Sequence, residues 1–453
     1  MSTQSLFTKY NIPGPRYTSY PTVPFWSATP SNADWEREVK ETFSSTNTSE
    51  GISVYIHLPF CESLCTYCGC NTRITVNHAV ENKYMSAVMK EWSLYLNLFE
   101  TAPRIREMHL GGGTPTFFSP ANLRELIQGI LSSSVMCPDA QFSFEAHPNN
   151  TTTEHLEVLY ALGFKRISIG VQDFDPEVQR IVNRVQSYES VKTLTEASRK
   201  TGFTSINYDL IYGLPRQTKA TIISTIEKVI QLKPDRIAFY SYAHIPWVKP
   251  GQRKFTEADL PADNEKLELY ETGRKMLEEC GYKEIGMDHF ALTTEDLYLA
   301  QQSKRLHRNF MGYTPFATSL LIGLGVSSIS DSWTAFVQNE KKVEDYYKRI
   351  DENKLPFFRG HLLTAEDKIL RRHILNIMCY GETSWKNPEQ QCSALEATMV
   401  QLIDLQVDGL LVMDMTGLQV TSKGLPFIRN ICMAFDARLR EKQPETVLFS
   451  RTI

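Results

Sequence analysis

The sequence predicts an α/β chain: a partial (β/α)6 barrel, preceded by an N-terminal arm and followed by a mainly helical, winged-helix-like C-terminal domain. Three observations carry this. Short β-branched or aromatic runs alternate with helical stretches from Ile52 to about residue 290, the rhythm of strand–helix units around a parallel sheet. Where those runs end stand glycines, carboxylates and amides, at the edge where parallel sheets gather ligands. Past residue 360 the pattern becomes helical and closes on a hairpin signal.

Taken in order, residues 1–50 form an arm and a helix. The arm is the Pro/Tyr-rich run GPRYTSYPTVPFW (14–26), and a short amphipathic helix follows around Trp35–Phe43. Residues 51–300 form the barrel. Its strand runs are 52–58, 107–110, 141–146, 166–171, 205–212 and 236–243; helical stretches near 78–98, 120–133, 152–162, 175–200, 217–231 and 263–280 lie between and after them. Residues 301–359 read as a basic, aromatic linker and substrate-covering region. They include SKRLHRNFMGYTP (303–315) and the glycine-bearing LLIGLGVSSISD (320–331). Residues 360–453 form the C-terminal domain, with a hairpin turn at Met415–Gly417. It lacks a basic recognition helix, which favours a packing or lid role over DNA binding.

Composition narrows the function classes. A formal charge of −4 over 453 residues offers no general attraction to nucleic acid or acidic lipid. No apolar run approaches a membrane span and the start is too polar for a signal peptide, so a cytoplasmic protein is expected. Nine cysteines in this length make no disulfide framework. Cys137, Cys280, Cys379, Cys392 and Cys432 are scattered and read as ordinary packed thiols.

The other four crowd into HLPFCESLCTYCGCNTR: Cys61, Cys65, Cys68 and Cys70. The first three are spaced C-x3-C-x2-C, and three thiolates on one loop can hold three corners of an iron–sulfur cube while leaving one iron open. An open coordination position is a mark of catalytic metal sites. A zinc site combining three cysteines with His57 or His78 is the other reading, although no second C-x2-C pair supports it. Cys70 has three readings: fourth ligand, reactive thiol, or loop packing. GGGTP (111–115) ends the second strand run, and its glycines allow close backbone approach to a ligand. Without a following Gly-Lys-Ser/Thr it is no phosphate loop.

C-x3-C-x-aromatic-C after the first strand of such a barrel, followed by GGGTP, resembles the radical S-adenosylmethionine (SAM) superfamily and its TIM-like barrel. Within it, nearly the whole chain is similar to the oxygen-independent coproporphyrinogen III oxidases. The matching stretches are GPRYTSYPT (14–22), CESLCTYCGCN (61–71), GGGTPT (111–116), IGVQDFDPEVQRIVNR (169–184), YDLIYGLPRQT (208–218), GMDHFA (286–291), LHRNFMGYT (306–314), GVSSISD (325–331) and RNICMAFD (429–436). A related haem-handling group resembles the barrel but generally lacks the equivalent of Cys70 and the RYTSYP arm, both of which are here.

The resemblance implies a 4Fe-4S cluster on Cys61, Cys65 and Cys68, with two SAM molecules in one site. The positions it assigns to SAM are Tyr55, Tyr67, Gly112, Gly113, Thr114, Glu145, Gln172, Arg184, Asp209, Ala243 and Ile329; Tyr55 also joins the three cysteines as catalytic. EAHP (145–148) departs from the more usual acidic version after Glu145 and leaves His147 without a role. The implied reaction is oxidative decarboxylation of two porphyrinogen propionates to vinyls in haem biosynthesis, in a monomer served by a flavodoxin- or ferredoxin-like reductant and an electron acceptor. Arg16, Lys304, Arg305, His307 and Arg308 are the candidate anchors for a four-carboxylate substrate.

Overall fold

The structure, a computed structural model, describes residues 3–27, 30–442 and 449–452. Residues 1–2, 28–29, 443–448 and 453, parts of the expected arm and C-terminal domain, lie outside the described residues.

One twelve-stranded sheet organises the chain. Its centre is six parallel strands in sequential order: β1 (Ile52–Leu58), β2 (Arg104–Gly112), β3 (Val135–Ala146), β4 (Phe164–Gln172), β5 (Ser205–Tyr212) and β6 (Arg236–Ser241). Helices Val80–Leu96, Pro120–Ser132, Thr153–Ala161, Tyr188–Thr201, Lys219–Leu232 and Asp263–Glu279 follow them in turn. Alternation decides which side of each strand is dry. Met108 and Leu110, Phe142 and Phe144, and Ile167 and Ile169 turn outward under the helices and are fully or almost fully buried there. The residues between them face the lumen.

Two sequence expectations change. The single helix over 175–200 is two, Pro176–Ile181 and Tyr188–Thr201. Asn183 between them has a left-handed backbone (φ 53°), and Ser187 caps the second helix by accepting from the Ser190 N–H at 3.0 Å. The stretch 301–359, expected as linker, contains more of the sheet. Ahead of it, within the expected barrel segment, β7 (Tyr282–Gly286) and β8 (His289–Leu292) add antiparallel beyond β6. At the opposite edge β9 (Leu321–Leu324) pairs parallel with β1, and β10 (Ile329–Asp331), β11 (Ala335–Asn339) and β12 (Phe357–Leu362) continue antiparallel. Gly323 disguised β9 as a loop. A Cβ there would meet the Ile329 carbonyl oxygen at 2.4 Å, so the glycine is what lets β10 fold against β9.

The loop after β9 is pinned from below by the Val80–Leu96 helix. Glu91, fully buried, accepts from the Gly325 N–H, the Asn339 amide and the Tyr346 hydroxyl, each at 2.7 Å.

The C-terminal domain has helices Ala365–Tyr380, Ala394–Val407 and Ile428–Ala434 with a small sheet of Glu382–Ser384, Gly417–Val420 and Leu411–Met413. The chain start belongs to its core. Helix Thr3–Tyr10, not anticipated from the sequence, buries Leu6, Phe7 and Tyr10 beside Leu370, Phe427 and Ile431, and Tyr17 and Tyr20 of the arm join them. Arg429 fastens the arm by donating to the carbonyls of Pro15 (3.0 Å), Arg451 (2.9 Å) and Gly14.

Candidate active site at the barrel mouth

Inward-facing residues of the central strands line one cavity of about 570 Å³. They are polar on strand after strand: Glu107 and His109 on β2; Gln141, Ser143 and Glu145 on β3; Arg166, Ser168 and Gln172 on β4; Ser205, Asn207 and Asp209 on β5; Arg236 and Tyr240 on β6. A lumen built this way is a binding chamber rather than an apolar core.

The cysteine loop roofs its mouth. The Gly113 N–H donates to the Leu58 carbonyl (2.9 Å) and the Thr114 N–H to that of Phe60 (3.0 Å), so the GGGTP turn grips the loop's start. A Cβ on Gly113 would lie 2.5 Å from the Pro59 carbonyl oxygen, so glycine is required for this approach. The break between the two helices holds the loop's other flank. The Thr66 N–H donates to the Val182 carbonyl (2.9 Å), and the Asn183 amide to that of Leu64 (2.8 Å). This break also carries Arg184, which donates to the Gly170 carbonyl (2.6 Å) and reaches the Cys65 sulfur (3.8 Å). Gly170 makes room for it, because a Cβ there would meet Arg184 Nη2 at 2.6 Å.

Cys61, Cys65, Cys68 and Cys70 all line the cavity. The Cys61 sulfur lies 3.3 Å from the Thr114 hydroxyl, and burial pushes its thiol up to about 11. Cys68 sits below the ordinary thiol range because of its hydrogen bond with Cys70, whose own thiol that bond and burial raise. Among the described residues no three His, Cys, Asp or Glu side chains converge as for a single metal ion. Thiolates on the corners of a cube are spaced by the cube and need no such convergence. Three cavity-facing thiols on one short loop suit three corners of a cluster.

Behind the roof, two acids are shifted in opposite directions. Burial works to raise the Glu145 carboxyl, but the His109 ring (3.5 Å) and the Gly112 N–H (3.2 Å) bring it below its ordinary value. Asp209, half-buried near Glu145, is pushed up to about 6 by desolvation and that neighbouring charge although the Ser168 hydroxyl (2.8 Å) and the Asn207 amide (2.9 Å) donate to it. His147 also lines the cavity, and burial lowers its ring to about 3, so it is neutral.

Of the residues the sequence singled out for SAM, Tyr67, Gly112, Gly113, Thr114, Glu145, Gln172, Arg184 and Asp209 line this cavity with the cysteines. Gln172 does so from a left-handed backbone (φ 65°) at a bulge in β4. Tyr55, Ala243 and Ile329 are not in its lining. Tyr55 is buried behind Gly111, stacked on His109 at 5.9 Å and 3.1 Å from His57 Nδ1. The carbonyls of Ala243 and Tyr67 both accept from the Gln252 amide, at 3.1 and 3.3 Å, which ties the end of the sixth unit to the cysteine loop. Ile329 packs beside Trp26 and Phe336.

The basic candidates divide. Lys304 is exposed and pairs with Glu382; Arg305 is also exposed. His307 is half-buried outside the lining, its ring lowered to about 4 by burial. Arg16 pairs with Asp288 at 3.0 Å and lies over Tyr240, a cavity residue. Arg308 is buried, stacked on Tyr313 at 4.6 Å, and donates to the Arg16 carbonyl (3.3 Å). Sequence reasoning passed over Arg166, Arg236 and His109, although their period-two spacing with Gln172, Tyr240 and Glu107 was visible.

Residues 55–229 match the model of the radical SAM superfamily. Oxygen-independent coproporphyrinogen III oxidases of Escherichia coli and Helicobacter pylori are each 39% identical, over 99% of this chain and 98% of their own; that of Pseudomonas aeruginosa is 36% identical over the same shares. The structure of Escherichia coli coproporphyrinogen III oxidase, described as a radical SAM enzyme, superposes with a TM-score of 0.89 at 38% identity, covering 94% of this chain and 98% of that one. A full-length likeness of this strength, on a chain whose cysteine loop roofs a polar barrel lumen, places it in a family: it belongs to the oxygen-independent coproporphyrinogen III oxidases of the radical SAM superfamily.

Proposed function

We propose that this chain converts coproporphyrinogen III to protoporphyrinogen IX without oxygen, turning two propionates into vinyls with release of carbon dioxide. The observation that carries this is the loop of three thiols facing a polar, strand-end cavity, in a chain that aligns end to end with the named oxidases. When bound, a 4Fe-4S cluster and SAM supply a 5′-deoxyadenosyl radical able to take hydrogen from a propionate β-carbon.

The chain's own residues hold and shield the reactants. Cys61, Cys65 and Cys68 ligate the cluster. Gly112, Gly113 and Thr114 offer backbone to an amino acid moiety, Arg184 has a fork suited to a carboxylate, and Glu145 and Asp209 accept from ammonium or hydroxyl groups. Tyr67 covers an adenine, with Gln172 and Ala243 beside it. Tyr55 and Ile329 act from behind the lining, Tyr55 through His57 and His109. Room for a second SAM is part of this reading. The arm and C-terminal domain exclude water.

A cytoplasmic monomer drawing electrons from a flavodoxin- or ferredoxin-like donor, and passing them to a separate acceptor, completes the proposal. No described helix is long and apolar enough to cross a membrane, which agrees with it.

The test is anaerobic reconstitution with SAM, reductant and coproporphyrinogen III. Formation of 5′-deoxyadenosine together with protoporphyrinogen is expected. SAM cleavage without decarboxylation, or tight haem binding with no vinyl product, would sink the proposal.

A further inference from the structure

The lumen floor carries more positive charge than the mouth chemistry uses. Arg166, the third residue of β4, and Arg236, the first of β6, both line the cavity. Arg236 is 5% exposed, and its Nε pairs with Glu295. Its Nη2 is buried with no hydrogen-bond partner. Glu295 is otherwise occupied, accepting from the Ser205 hydroxyl (2.9 Å) and the Leu297 N–H (2.8 Å). Arg166 donates to the neutral Gln141 side chain at 2.7 Å and forms no ion pair among the described residues. Glu107 and Asp296, the other acids that act on Arg166, are occupied: Glu107 accepts from the Ser53 (2.8 Å) and Thr314 hydroxyls, its carboxyl raised by burial, and Asp296 accepts from the Gln141 amide (2.6 Å).

Two guanidiniums near enough to repel each other thus stand among Glu295, Glu107 and Asp296 with only Arg236 ion-paired among the described residues, and one Arg236 N–H is left without an acceptor. A buried charged donor left unpaired is costly, and the planar fork of arginine matches a carboxylate. Position gives the ligand. Arg166 is six residues below Gln172 on β4, about 20 Å at the strand rise of ~3.3 Å per residue. A porphyrinogen that offers one propionate to the mouth turns others toward the floor.

We infer that Arg166 and Arg236 form a carboxylate-gripping subsite at the lumen floor, which takes the propionates the reaction retains and sets the macrocycle's orientation. The inference rests on the porphyrinogen reading above.

Kinetics of the reconstituted enzyme test it. Arg166→Gln should raise KM for coproporphyrinogen III at least about tenfold, since a hydrogen bond to a charged group is worth that much. Its iron content should stay near wild type, and Arg166→Lys should recover part of the loss. Arg236→Lys, which keeps a cation beside Glu295 but removes Nη2, should also raise KM. Without turnover, fluorescence titration with coproporphyrin III should show the same weakening, while its tetramethyl ester binds wild type and Arg166→Gln alike. Unchanged KM and coproporphyrin affinity in both Arg166→Gln and Arg236→Lys would overturn the subsite and leave the floor to solvent or an inorganic anion such as bicarbonate. A wild-type enzyme that makes no protoporphyrinogen would instead refute the functional reading.

Discussion

Glu91 offers the sharpest physical test of how the barrel is held together. Its carboxyl is fully buried, and burial raises it from 4.5 to about 7 against the three donors it accepts from. In the unfolded chain it titrates near 4.5. Between those values the native state holds a proton that the unfolded state has released. Stability from this group is therefore complete below pH 4.5 and lost as pH rises through about 7. The displacement corresponds to about 3 kcal/mol at 1.36 kcal/mol per pH unit. Glu91→Gln removes the titration. The amide faces the Asn339 side chain with a donor, a cost of about 1–3 kcal/mol that is independent of pH. Urea unfolding of both proteins between pH 4.5 and 8 should show wild type losing about 3 kcal/mol relative to the variant. Other titrating groups are common to both and cancel. Parallel pH profiles would refute the reasoning and mean that the Glu91 carboxyl titrates alike in the folded and unfolded chain.

The remaining predictions concern the roof and the arm. Cys65→Ala should abolish bound iron after anaerobic reconstitution while Cys70→Ala retains it; iron loss in the second would make Cys70 a ligand. Gly113→Ala forces a methyl against the Pro59 and Phe60 carbonyls and should cost about 1–3 kcal/mol. Gly69→Ala, with nothing within 4 Å, should shift Tm hardly at all; equal shifts would show that the turn does not need glycine. Arg429→Met frees three carbonyls of the chain ends and should speed tryptic cleavage after Arg16 at least tenfold. An unchanged rate would mean that Leu6, Tyr17 and Tyr20 hold the arm unaided.

The central strands were legible because their outward residues are apolar or aromatic and their inward ones polar, a contrast that period-two reading detects. The cysteine loop and the glycine turn were legible because few backbones tolerate such residues. The helix break at 182–187 was not, since RIVNRVQSYESV keeps an amphipathic rhythm across it and only Asn183 and the Ser187 cap betray the gap. β9 was missed because four residues around a glycine give too little alternation, and its pairing with β1 closes over about 270 residues of chain. The floor arginines escaped notice because each, alone in sequence, looks like a surface charge at a strand start. Helix Thr3–Tyr10 is stable only through partners that come hundreds of residues later.

That last arrangement bears on the order of assembly. The Gly14 N–H donates to the Ser450 carbonyl (3.0 Å), the Thr452 N–H to that of Ile12 (2.8 Å), and the Asn430 amide to that of Tyr10 (2.9 Å). On the ribosome the first stretch of the chain cannot dock until residues 429–452 have emerged, whereas every central strand and the cysteine loop are complete by residue 241. The central strands are thus complete before the contacts that fasten the arm to the C-terminal domain can form. Some two hundred residues of synthesis separate the two events, and the clasp itself is tied by segments from opposite ends of the chain.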